Sequence, residues 1–147
     1  MITETKAIAT TENALATFAV TDANVGAMYC SVRPTGDRKH DAQIFAALNN
    51  PDERLANHIN EVLKIVNVSV SVMQILDDET GETDTVPRTV FIAEDGKTYQ
   101  ATSKGIFNAL QKAYMIFGEA PWKPALEIKV KQVAVGKGSM LTFDVVG

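Results

Sequence analysis

Cysteine occurs once in this chain, histidine twice and tryptophan once, and no hydrophobic run approaches the length of a bilayer. Each scarcity removes a class of function. A lone Cys30 allows no intrachain disulfide, so a reducing compartment is the expectation. Its neighbours Ala27, Met28, Tyr29, Ser31 and Val32 read as a strand, and no His or Lys adjoins it, so the thiol is expected to be packed rather than reactive. A spanning helix needs about 20 consecutive apolar residues, and none exists. Residues 1–12 are polar and lack the apolar core of a signal peptide. The expectation is a cytoplasmic protein without membrane contact.

The enzyme motifs are missing too. His40 and His58 fall in separate helical segments, and no Ser-, Cys- or His-centred catalytic motif surrounds either. No His, Cys and Asp spacing suggests zinc. The acidic run 77–84 lacks the spacing of an EF-hand loop and its closing Glu. Gly136-Lys137-Gly138-Ser139 looks like a phosphate cradle, but it joins two strands and opens no helix. The chain reads as a non-enzyme with no metal and no cofactor.

What is present describes one ordinary globular domain. The 147 residues are 46% hydrophobic and 22% charged, enough for a core without disulfide or metal support. Residues 1–13 lack periodicity and read as a flexible arm, leaving 14–147 as a single domain. A strand is expected over 27–32, ended by Pro34-Thr35-Gly36. A helix follows over 37–49, with Asp37 or Thr35 as cap, an apolar stripe of Ala42, Phe45 and Leu48 beside Ile44 and Ala47, and a stop at Asn49-Asn50-Pro51. A short helical turn over 52–60 turns Leu55 and Ile59 inward.

From residue 62 onward the order is strand, strand, strand, helix, strand, strand. The β-branched run 62–75 favours a long bent strand with a bulge or kink. Runs 88–93 and 97–101 flank Glu94-Asp95-Gly96, a hairpin signal. Ser103 or Thr102 caps a helix whose apolar face is Ile106, Phe107, Leu110, Ala113, Tyr114 and Phe117, and Gly118 closes it. After Pro121-Trp122-Lys123-Pro124, two alternating runs meet at Gly136-Lys137-Gly138. That order is the connectivity of an OB-fold, which commonly binds oligonucleotides or oligosaccharides. The fold class is mainly β with two helices (α+β): an OB-like five-stranded Greek-key barrel, its core at about 62–146, with an N-terminal strand–helix extension.

Single-strand binding requires cations for phosphates and exposed rings for bases. The net charge of −4 argues against a strongly basic binder, so any such site needs its cations gathered on one surface. The candidates are Arg33, Arg88, Lys97, Lys129, Lys131 and Lys137, with Tyr99, Phe91, Trp122 and Tyr29 for stacking. Tyr99 belongs to either the groove or the core. Trp122 is either a structural plug or a ligand contact, and Phe91 is expected in the core. Arg33, Arg38, Lys39 and Arg54 either extend the track or form a solvated surface. The loops expected to frame the site are 77–86 and 136–139. The first is acidic and should repel phosphate, gate the groove or lie away from it.

Four stretches carry a family likeness: 42–52 (AQIFAALNNPD), 97–110 (KTYQATSKGIFNAL), 117–122 (FGEAPW) and 128–133 (IKVKQV). Over residues 28–146 the chain resembles small single-stranded-DNA-binding proteins of phages and mobile elements. The resemblance implies a protein that coats exposed strands during phage DNA replication or recombination with little sequence preference, in the cytoplasm of an infected host. Its partners would be single-stranded DNA or RNA and replication proteins, and it would act as a monomer or homodimer. The rival reading is a phage protein-interaction or regulatory module on the same barrel, which the acidic total and acidic loop favour.

Overall fold

The computed structural model describes residues 14–136 and 138–147. The expected arm, 1–13, and Lys137 lie outside them. The hub is β3 (Val62–Leu76), a 15-residue strand that touches three neighbours. It pairs antiparallel with β4 (Thr83–Ala93) along most of its length, with β6 (Leu126–Val135) over 62–65, and with β1 (Met28–Cys30) over 69–71. To serve three partners it must bend. Pairing with β4 passes from Ile65↔Ala93 to Asn67↔Ile92, so Val66 is a bulge, as the sequence anticipates. The extra residue switches the inward parity from Leu63 and Ile65 to Val68, Val70 and Val72, all buried. The freed Val66 carbonyl accepts the Trp122 N–H at 2.9 Å.

The remaining staves follow the expected order. β5 (Thr98–Ala101) pairs with β4 across a turn in which Gly96 holds φ +90°, and β6 pairs with β7 (Gly138–Val145). The central helix comes between β5 and β6; counting in chain order, it is α2 (Lys104–Phe117), after α1 (Arg38–Asn49). Ser103 caps α2 by accepting from the N–H groups of Gly105 and Ile106, and the Gly118 N–H returns to the Tyr114 carbonyl. The inner face of α2 (Ile106, Phe107, Leu110, Ala113, Tyr114) meets Ile65, Phe91, Trp122, Ile128 and Phe143 in one core that also takes Leu15. The whole is a curled mixed sheet of OB type with two helices.

Three details depart from the sequence reading. The acidic loop is only 77–82, because β4 begins at Thr83 and runs through Pro87. Proline is tolerated there for a local reason. Val72, opposite Pro87, spends both backbone groups on Gly26 and Ala27, so the position of the missing N–H faces an open edge beyond β5. Residues 53–54, expected to be helical, form β2 (Glu53–Arg54), which pairs parallel with β5 before a 3-10 turn, Leu55–His58. Finally, α1 is rotated from its expected stripe. Ile44, Ala47 and Leu48 are half-buried while Ala42 and Phe45 are exposed.

Among the described residues no ladder joins β5 to β7. The start of α2 fills that seam instead. Ser103 Oγ donates to the Leu141 carbonyl at 2.9 Å, and a Cβ added at Gly105 would lie 2.4 Å from the same oxygen.

Candidate nucleic-acid interface

Strand pairing sorts the side chains of the sheet into two faces. One set of rows, Tyr99–Phe91–Val68 and Ala101–Thr89–Val70–Tyr29, points into the core. The alternate rows point outward: Arg54–Gln100–Val90–Ser69–Cys30, Arg88–Ser71–Met28 and Thr98–Ile92–Asn67. In an OB barrel this outer side of the second and third strands is the usual ligand surface.

Here the chain's own N-terminal extension crosses it. β1 lies beside β3 and β2 lies beside β5, so the connection between them, including α1, passes over the outer side of β4. Three tethers hold it. Ser31 Oγ donates to Asn67 Oδ1 and accepts from the Val68 N–H, both at 2.9 Å. Arg88 donates from Nη1 to the Leu48 carbonyl at 2.9 Å and from Nε to Gln100 Oε1 at 3.1 Å, catching the last turn of α1. Asp52 and Thr98 exchange bonds at 2.8 and 3.0 Å. Under this cover Val90 is only 1% exposed, though it points away from the core cluster.

The candidate residues distribute unevenly over this geometry. Arg88 is half-buried and committed to the α1 tether. Lys97 Nζ is 3.4 Å from Glu53 Oε2, and Lys131 Nζ is 2.8 Å from Asp144 Oδ2. Lys129 is half-buried on β6, without a carboxylate partner among the described residues. Tyr99 belongs to the core: it is 5% exposed, with its ring edge-on to His58 at 5.0 Å. Trp122 is a plug, 7% exposed, edge-on to Tyr114 at 5.6 Å and donating from Nε1 to the Gly118 carbonyl. Neither ring has an open face for a base in this conformation. Arg33 is exposed and has no carboxylate within ion-pair distance among the described residues.

The arginines share one side. Arg33 and Arg38 lie on the crossing segment, and Arg54 and Arg88 lie on the outer rows beneath it. None has a carboxylate within ion-pair distance among the described residues, whereas Lys64, Lys97, Lys104 and Lys131 all do. Guanidinium is the cation best shaped for phosphate oxygens. A cleft of about 370 Å³ opens at the β5–β7 seam, lined by Arg54, Gln100, Thr102, Ser103 and Leu141. At the same edge His58 sits between two carboxylates, Nε2 on Glu53 and Nδ1 on Glu61 at 2.9 Å. Glu61, then Glu53, raise its pKa above the usual value, and His58 lowers that of Glu53.

The family model described as phage single-stranded DNA-binding protein, of the Phi29 type, matches residues 22–145. The chain belongs to that family. No curated protein and no solved structure matches significantly. Among the described residues the matched span covers every strand and both α-helices, with the α1 crossing included. This phage single-stranded-DNA-binding family is a non-catalytic one.

Proposed function

We propose that this chain coats exposed single strands during phage DNA replication or recombination, with little sequence preference, in the cytoplasm of the infected cell. The observation that carries the reading is the gathering of all the arginines, none paired with a carboxylate among the described residues, on the outer side of an OB-type sheet in a family of single-stranded-DNA-binding proteins. A chain of net charge −4 gains nothing from its global field toward a polyanion, so binding must be local. Phosphate contacts do not read base identity, which accounts for the low sequence preference.

The acidic turn does not oppose this. Thr89, where pairing with β5 begins, lies six residue steps along β4 from Thr83. At about 3.3 Å per residue the turn stands roughly 20 Å along the hairpin from that strand. Anisotropy titration with matched single-stranded and duplex oligonucleotides is the test. Tighter uptake of oligo(dT) than of duplex is expected, and no uptake at low salt overturns the reading.

A further inference from the structure

Stacking on DNA bases requires a ring with a free face, and this molecule leaves few. Its six phenylalanines, three tyrosines and one tryptophan all fall among the described residues. Only Phe45, at 69%, and Phe117, at 49%, are exposed. The two settings differ. Phe117 adjoins exposed Met115 and Ile116 at the end of α2 and lines clefts shared with Val145, Pro124 and Leu126. Phe45 stands apart from such company, on the solvent side of α1.

Helical spacing places Arg38, Ala42, Phe45 and Asn49 on one face, with Lys39 at its flank. Arg38 precedes Phe45 by seven residues, about 10 Å along the axis. Arg38 and Lys39 have no carboxylate partner among the described residues. Both lie in the first turn of α1, where positive charge opposes the helix dipole, so helix formation does not ask for them. The two acids of that turn are directed elsewhere. Asp37 accepts the Lys39 N–H as the cap, and half-buried Asp41 accepts the N–H groups of Thr35 and Gly36.

We infer that single-stranded DNA runs over the outside of α1, with a base stacked on Phe45 and neighbouring phosphates held by Arg38 and Lys39. This rests on the DNA-binding reading above and relocates its contact surface. In a bare OB barrel the sheet itself meets the ligand. Here α1 covers that sheet and presents its own ring and cations in place of the buried Tyr99. A ring offers the same π-face to every base, so the platform is indifferent to sequence, and it excludes duplex because paired bases are not free to stack.

The test uses the full chain, fluorescein-labelled oligo(dT) and three variants. Phe45→Ala should weaken binding about tenfold, in keeping with roughly 1–3 kcal/mol per stacked base. Phe45→Trp should retain affinity, and its emission should be quenched on binding, against a background from buried Trp122. Phe117→Ala should bind as the unaltered chain does. Unaltered affinity in Phe45→Ala, or a Phe45→Trp emission indifferent to oligo(dT), overturns the inference while leaving DNA binding in place. Failure of the unaltered chain to bind oligo(dT) overturns the DNA-binding reading itself and this inference with it. Because Phe45 is exposed, the variants should keep the fold, and circular dichroism of each checks this.

Discussion

Gly105 and Thr89 show how closely single positions are fitted. Gly105 sits in the first turn of α2, where any side chain would meet the Leu141 carbonyl. That oxygen belongs to backbone and cannot swing away. Gly105→Ala should therefore lose about 1–3 kcal/mol by overpacking, read as a lower urea midpoint. Thr89 presents the opposite case. It is fully buried on the inner face of β4, and its Oγ1 has no partner among the described residues. Replacing the hydroxyl with a methyl group of similar shape removes an unmet desolvation cost. Thr89→Val should raise stability by about 1 kcal/mol in the same measurement, and a fall would show that the hydroxyl is satisfied.

At the scale of elements, the edge formed by β2 and its 3-10 turn depends on charge. Both ring nitrogens of His58 face carboxylates, so both must donate and the imidazolium is the fitting form. A raised His58 pKa contributes stability that is fully present below its ordinary 6.5 and is lost as pH rises through the folded value. Glu53, lowered by His58, contributes stability present above its ordinary 4.5 and lost as pH falls through its folded value. The clamp is thus strongest between those two ordinary values. The urea midpoint of the unaltered chain should fall as pH rises past neutrality, and His58→Gln should flatten that slope. A variant with the full slope would place the titrating group elsewhere.

For the whole molecule, the electrostatic account makes a salt prediction. Binding by local cations releases counterions, so log K should fall linearly with log salt, at about 0.7 per neutralised phosphate on a single strand. Arg33→Gln, Arg38→Gln and Arg54→Gln should each shallow that slope by up to one contact. Lys131→Gln, whose lysine is held by Asp144, should change it less. Equal effects from all four would show that the arginine side holds no special place.

The strands, the bulge, the capped central helix and the hairpin at Asp95-Gly96 were legible in the chain because each is governed by local forces: side-chain alternation, β-branching and turn chemistry. Hence OB order could be read without coordinates. The position of the candidate site could not. Tyr99 alternates with Thr98 and Gln100, and alternation says that it differs in face from them without saying which face is covered. The apolar residues of α1 permitted two rotations, and the chosen one turned Ile44 inward and Phe45 out. Residues 53–54 are too few for a periodic signal and became a strand only because β5 offered an edge. Periodicity is a property of neighbours along the chain. The burial of Tyr99, the exposure of Phe45 and the assembly of the arginines on one side depend on which distant strand each segment lies beside, which tertiary structure alone decided.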